Sequence, residues 1–230
     1  GTANLTFGNP WGKPNFAGDI SAFEIKVDVD DYHAGPHVAA PLTEAVEPIT
    51  ADPVITSVVQ QDAAQQAAAV HDALKDHILD INGLSGDKTA LVDDAKVVQT
   101  ADGPVIRLDG DHDYVKLGRM VDLEKSDKIA FSVDFSQDGT ATGEDRLVWN
   151  HMKLGLTLVN DGLRLQVGTA DEGFKAFTVA NLGLNDADLH RATVMVDAQN
   201  DRLQVVLDDQ VVLDVKDVDL DIVGAGGHEW

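Results

Sequence analysis

Three aspartates at alternate positions of one short segment are the residues of this chain best placed to do chemistry. Asp109, Asp111 and Asp113 lie in LDGDHDYVKL, on either side of a glycine. Their carboxylates can converge on one cation when the segment turns, and oxygen ligands are the ones that calcium prefers. The spacing therefore predicts a calcium site. The alternative is that Asp109-Gly110 forms a hairpin turn and that the other two acids are solvated.

A second acidic loop lies between two candidate strands. SQDGTATGEDR places Asp138, Glu144 and Asp145 in a stretch rich in glycine and threonine, and we assign them as further candidate metal ligands.

The adjacent pairs Glu144-Asp145 and Asp171-Glu172 do not predict a glycosidase. Retaining hydrolysis needs two carboxyls acting across one sugar, whereas adjacent side chains of a strand point to opposite faces. Against a catalytic role, we interpret both pairs as solvated loop acids.

Other catalytic chemistries find little support in the sequence. The chain has no cysteine, which excludes thiol catalysis, thiolate metal sites and disulfides. It contains no Gly-x-Ser-x-Gly segment of the kind that presents a nucleophilic serine. His33 and His37 are close in sequence, but Gly35 and Pro36 between them oppose the helix that would align them on zinc. We expect that the protein is not an enzyme.

Sugar binding would use an exposed aromatic ring beside polar groups, because a ring face stacks on the apolar face of a pyranose. Trp11 lies in the loop GNPWGKPNF, where no strand requires a large apolar residue. Asn9 and Asn15 belong to the same loop, so we predict a ligand site at these three residues. Trp149 falls within a strand pattern and is typical of a core position.

Net charge limits the partners. The chain has 40 acidic residues against 17 Lys and Arg, which gives a formal charge of −23. Such a surplus repels the phosphates of nucleic acid and of anionic membranes. No apolar run is long enough to predict membrane insertion. The partners that we expect are a glycan or an extracellular protein.

Acidic, cysteine-free chains are common among large bacterial extracellular proteins, so we expect a secreted or cell-surface, bacterial location.

Four stretches make up the chain. Residues 1–28 contain two candidate strands separated by a loop rich in Gly, Pro and Asn. Residues 29–61 hold four prolines and are typical of an extended linker. In residues 62–77 alanine and aliphatic residues recur at helical spacing, which predicts one short surface helix. Residues 78–230 consist of short apolar runs separated by Asp-Gly and Asn-Asp turns, a pattern that predicts an all-β sandwich or barrel.

Three phrases of residues 78–230 resemble the laminin-G-like group of the concanavalin A-like lectin/glucanase fold. They are VIRLDGDHDYVKL with the following DLEKSDKIAFSVDFS, then RLVWNHMKLGLTLVNDGLRLQVGT, and then LNDADLHRATVMVDAQNDRLQVVLDDQVV. The last phrase contains His190 and the turn at Asp208 and Asp209. The resemblance implies a jelly-roll β-sandwich of two antiparallel sheets. It also implies calcium at the sandwich rim, where related domains bind it.

The order of the strands departs from that family. Its members normally finish with a phrase like Phe-x-Gly-x-Ile-x-x-Phe-x-Ile, whereas this chain ends GAGGHEW. The N-terminal end supplies the phrase through Phe16, Gly18, Ile20, Phe23 and Ile25. A sandwich without these strands would expose an apolar face and an unpaired edge. We therefore predict that residues 4–28 complete the sandwich, in a circularly permuted or strand-exchanged order.

Three arrangements could achieve this completion. The strands could close their own sandwich, with residues 29–77 as the return path, or exchange with a second chain, or join a tandem-repeat neighbour. Effective concentration favours closure within one chain.

These features together predict a noncatalytic extracellular binding or adhesion module that recognises glycan or protein, with calcium-assisted structure. The alternatives are an architectural spacer of a large secreted protein and an unrecognised polysaccharide-active enzyme.

Overall fold

The computed structural model describes residues 5–10, 16–27, 79–84, 90–118, 128–137, 139, 143–150, 154–169, 173–218 and 220. The candidate site residues Trp11, Asn15 and Asp138 lie outside these described residues. So do the predicted linker and surface helix at 29–77.

The described residues form two antiparallel sheets of seven strands each and one short helix, which confirms the predicted all-β sandwich. The strands are β1 (Leu5–Phe7), β2 (Ala17–Val27), β3 (Leu91–Val92), β4 (Lys96–Thr100), β5 (Gly103–Asp109), β6 (Tyr114–Gly118), β7 (Lys128–Gln137), β8 (Glu144–Asn150), β9 (Leu154–Val159), β10 (Gly162–Thr169), β11 (Gly173–Val179), β12 (His190–Asp197), β13 (Arg202–Leu207) and β14 (Gln210–Val215). The helix α1 covers Ile81–Leu84. Among the described residues no helix is long and apolar enough to cross a membrane.

Each sheet contains one N-terminal strand at an interior position. Sheet 1 has the order β11-β10-β9-β8-β1-β6-β3, and sheet 2 has the order β14-β13-β12-β7-β2-β5-β4. In sheet 1, β1 pairs with β6 and β8; in sheet 2, β2 pairs with β5 and β7. Residues 5–7 and 17–27 therefore supply one interior strand to each sheet.

Phenylalanines of the N-terminal strands join the two sheets. Phe7 of sheet 1 meets Phe23 of sheet 2 edge to face, with ring centroids 5.1 Å apart. Phe23 also contacts Phe131 of the neighbouring strand β7. All three side chains are fully buried. Because burial of one such ring is worth about 1.5–3 kcal/mol, β1 and β2 are integral to the core rather than an appendage.

A bulge in β2 explains an irregularity of its sequence. Apolar residues of this strand alternate up to Ile20 and then change phase, so that Phe23 and Ile25 follow. The pairing of β2 with β7 shifts register between Ile20 and Ala22. An extra residue in a strand reverses which face the following side chains occupy. Ile20, Phe23 and Ile25 consequently all enter the core.

Candidate functional site

Three aspartates converge at one end of the sandwich. Asp94, Asp109 and Asp113 each bring a carboxylate oxygen within 4.8 Å of the others. Asp109 ends β5 and Asp113 precedes β6, while Asp94 lies between β3 and β4. Both connections pass from one sheet to the other, because β3 and β6 belong to sheet 1 and β4 and β5 to sheet 2. The cluster, which we call the rim triad, therefore lies where two crossing turns meet.

The turn between β5 and β6 is closed by the Asp113 carboxylate. Its Oδ2 accepts the backbone N–H of Asp109 at 2.6 Å, and its Oδ1 accepts that of Gly110 at 3.2 Å. The backbone N–H of Asp111 donates to Asp109 Oδ1 at 2.8 Å. Gly110 and His112 both have positive φ, of 82° and 73°. These left-handed residues tighten the turn so that Asp109 and Asp113 face the same point.

The burial of Asp113 disfavours the ionised form of its carboxyl when no counter-charge is bound. Asp113 is fully buried, whereas Asp94 and Asp109 are exposed. Burial raises the pKa of Asp113 to about 6; the backbone N–H of Asp109 opposes this rise, and the charges of Asp109 and Asp94 add to it. A bound cation would favour the ionised form of all three carboxylates.

The donor set of the rim triad fits calcium. Ca²⁺ takes oxygen ligands at about 2.3–2.6 Å, so two ligands of one ion lie at most about 5 Å apart. The three carboxylate oxygens satisfy this limit. Each carboxylate oxygen of Asp113 also has a second lone pair beyond the one used by a backbone N–H. The triad would supply three of the roughly six to eight ligands that the ion requires.

The other predicted metal ligands among the described residues do not belong to the rim triad. Asp111 is exposed and bonds His112 Nδ1 at 2.8 Å. Glu144 is exposed and forms an ion pair with Arg164. Our interpretation of Asp145 as a solvated loop acid is wrong, because β8 begins earlier than the apolar pattern suggests and Asp145 is only 3% exposed within it.

Sequence reasoning missed Asp94. The residue follows Asp93, which has a positive φ of 58°, in the turn before β4. The pair Asp93-Asp94 was a turn signal visible in the sequence. No local pattern connects that turn with the one between β5 and β6, because only the pairing of the strands brings them together.

A second polar cluster surrounds Trp149 on the outer face of sheet 1. Residues directly opposite each other in a sheet share a face. Val148 lies opposite Leu156, and both belong to the core. Trp149 lies opposite Gly155, and Gly155 lies opposite Gln166. This row therefore faces away from the core, although Trp149 is only 5% exposed.

Contacts on this face fix the indole of Trp149. A Cβ on Gly155 would lie 2.3 Å from two ring carbons, so the missing side chain is what lets the ring lie against the sheet. The Arg146 guanidinium carbon is 4.2 Å from the ring centroid, in a cation–π contact. Asn9, which we predicted as a ligand residue, is buried, and its Oδ1 accepts a hydrogen bond from the same Arg146 at 2.6 Å.

A third polar cluster is centred on His190 at the start of β12. Its Nδ1 lies 2.7 Å from Asp208 Oδ2, and its Nε2 lies 3.0 Å from Asp186 Oδ1. Burial by itself would lower the pKa of His190, but the hydrogen bonds and charges of Asp208 and Asp186 outweigh it and raise that pKa. The protonated ring donates to both carboxylates, and so ties the loop before β12 to the turn after β13.

Comparison with known proteins gives no match: no family model, no curated protein and no solved structure matches this chain. The laminin-G-like resemblance of the three sequence phrases stays a prediction.

Proposed function

We propose that the protein is a noncatalytic extracellular binding or adhesion module for glycan or protein, with a calcium ion that stabilises one end of its sandwich. The convergence of Asp94, Asp109 and Asp113 carries this proposal. Calcium at the rim triad would bind both crossing turns, and so hold the two sheets in register at that end. The same ion would remove the repulsion between three neighbouring carboxylates.

The solvent exposure of the rim triad supports an extracellular assignment. Two of its three aspartates are exposed to solvent. Open sites in extracellular modules bind calcium with a Kd of about 10⁻⁴ to 10⁻³ M, which matches the calcium concentration outside cells rather than inside them. A chain with no cysteine also relies on other means than disulfides for stability in such a location.

The hydrogen bonds of Asp113 favour a binding role over a catalytic one. Asp113 is committed to two backbone N–H groups of its own turn. A carboxylate fixed in this way is better suited to be a metal ligand than a general acid, which must exchange protons with a sugar.

Binding to an oligosaccharide array in the presence of calcium, and again with a chelator, tests the proposal. We expect that the wild-type chain binds saccharides when calcium is present and loses thermal stability when calcium is removed. An architectural spacer would show the stability change and no binding. Release of reducing ends from a polysaccharide would contradict the noncatalytic assignment.

A further inference from the structure

The side of sheet 2 that faces away from sheet 1 is buried along the neighbouring strands β7, β12 and β13. Phe131, Val194 and Val205 lie opposite one another and belong to the core. Because successive side chains of a strand alternate between faces, the rows on either side of these three residues point away from the core. The residues of those rows, each at most 3% exposed, are called the sheet 2 outer face; they are Ala130, Ser132, Thr193, Met195, Gln204 and Val206.

This burial requires a layer of atoms over the sheet 2 outer face. In a two-layer sandwich the outward side chains of a sheet contact solvent. Met195 has a long side chain that stands out from the sheet, yet it is only 2% exposed. The described strands all belong to the two sheets, the described connections join strands at their ends, and α1 contacts β4 and β5. The covering atoms therefore belong to a part of this chain outside the described residues.

Residues 28–78 leave and rejoin sheet 2 beside this face. β2 ends at Val27, which lies opposite Ile129 of β7. The chain is described again from Leu79, whose backbone N–H donates to the Phe23 carbonyl of β2 at 2.9 Å. Both ends of this segment are thus tied to the strand next to β7. The other undescribed stretches have ten residues or fewer.

The helix predicted at residues 62–77 has the dimensions that the sheet 2 outer face requires. A helix of this length is about 24 Å long and about 10 Å wide. Three strands at a spacing of about 4.8 Å are also about 10 Å across. The apolar stripe of the predicted helix consists of Ala63, Ala67, Val70 and Leu74. These mostly small side chains let a helix lie close to the sheet.

Polar groups on this side of sheet 2 are paired within the sheet. The hydroxyls of Ser132 and Thr193 bond each other at 3.1 Å, so an apolar stripe can lie over both. At one end of the face Arg191 forms an ion pair with Asp134, and at the other Arg202 forms one with Asp214. The middle of the face is therefore suited to an apolar partner and its ends to a polar one.

We propose that the helix predicted at residues 62–77 packs on the sheet 2 outer face through Ala63, Ala67, Val70 and Leu74, and forms a third layer of the molecule. This inference goes beyond the proposed function, because it assigns the sheet 2 outer face to an internal contact. A glycan or protein ligand then binds elsewhere on the molecule.

A disulfide scan tests the proposal, because the chain has no cysteine of its own. Met195→Cys is combined in turn with Ala67→Cys and with Val70→Cys in the full chain. We expect at least one of these pairs to form a disulfide within the monomer at least about tenfold faster than a control pair, since a disulfide requires Cα atoms less than about 7 Å apart. Non-reducing electrophoresis and mass spectrometry of the oxidised variants measure the rate.

Met195→Cys with Asp72→Cys is the matched control. Asp72 follows Val70 by two residues, so the two side chains lie on opposite sides of a helix. Met195→Cys with Val223→Cys tests the undescribed C-terminal residues as the cover instead.

A pair of single variants gives an independent measurement that needs no cysteine. Val70→Asp would bury an unpaired charge against the sheet, so we expect it to lower the melting temperature by several degrees. Asp72→Asn, on the solvent side of the predicted helix, should leave the melting temperature unchanged.

Each contrary result overturns the proposal. Oxidation of the Asp72 pair as fast as that of the Ala67 and Val70 pairs would mean that this helix does not face Met195, and fastest oxidation of the Val223 pair would assign the face to the C-terminal residues. Disulfides between two chains would assign it to a second copy. A wild-type melting temperature for Val70→Asp would also contradict the packing. These outcomes are distinct from failure of the proposed function, which the calcium and oligosaccharide measurements decide.

Discussion

His190 is held by two carboxylates from different parts of the chain, and this arrangement has a consequence for stability. Asp186 precedes β12 and Asp208 follows β13, and the ring of Phe135 in β7 packs beside the imidazole. The neighbouring Arg191 binds Asp134 of β7, and its backbone N–H donates to Asp208. Both ring nitrogens of His190 can donate only when the ring is protonated.

We predict that the His190 contacts stabilise the fold most at mildly acidic pH. The folded pKa of His190 lies above the ordinary value of 6.5. Its contribution is therefore fully present below pH 6.5 and is lost as the pH rises through the folded pKa. Urea unfolding of the wild type and of His190→Gln, measured from pH 5.5 to pH 9, checks this.

The difference between the two proteins is the quantity that isolates His190. Asp113, with its pKa raised to about 6, changes stability with pH in the same direction and is present in both. A difference in unfolding free energy that stays constant, or grows, as the pH rises would contradict the protonated state of His190.

Sequence reasoning at the residue scale found part of the rim triad. Of the three alternating aspartates Asp109, Asp111 and Asp113, the first and the last belong to the triad and Asp111 does not. Asp94 could not be found in this way, because its proximity depends on where β3, β4, β5 and β6 cross between the sheets.

At the scale of elements, β8 shows why the outward orientation of Trp149 could not be predicted. Its register with β9 shifts between Arg146 and Val148. The consecutive residues Leu147 and Val148 both enter the core as a result, and Trp149 faces outward. The shift leaves a run of apolar residues in which simple alternation cannot assign the faces. The bulge of β2, in contrast, was visible as a change of phase in its alternation.

We predict that Gly155→Ala destabilises the protein through Trp149. The new Cβ would lie 2.3 Å from two carbons of the indole, so the ring or the strand must move. Forcing a methyl group into such a packed contact costs about 1–3 kcal/mol of unfolding free energy. Urea unfolding of the variant measures the loss.

A double-mutant cycle with Trp149→Phe provides the control. A smaller ring leaves more room, so Gly155→Ala should cost less in the Trp149→Phe background. Equal costs in the two backgrounds would mean that the glycine serves some purpose other than the indole contact.

For the whole molecule, β1 and β2 are interior strands of the two sheets. Each of these strands has a partner on both sides within the same chain. The apolar phrase at residues 16–25 was distinct enough in the sequence to predict a strand there. The strands that pair with β1 and β2 could not be predicted from the sequence, because pairing depends on the topology of the whole sheet.

We predict that the protein is a monomer in dilute solution. Closure by its own N-terminal strands leaves no central gap for a second chain to fill. Size-exclusion chromatography with light scattering should give the mass of one chain, 24.6 kDa. A stable dimer whose two halves exchange residues 5–27 would instead favour the strand-exchanged arrangement.

Calcium binding at the rim triad is the central claim, and a calcium titration of the melting temperature tests it most directly. We predict that millimolar calcium raises the melting temperature of the wild type, because the ion binds the folded state alone. Asp94→Asn should reduce this rise strongly, whereas Asp111→Asn, at an exposed aspartate outside the triad, should preserve it. An unchanged melting temperature of the wild type across the titration, or an equal rise in Asp94→Asn, would contradict the claim.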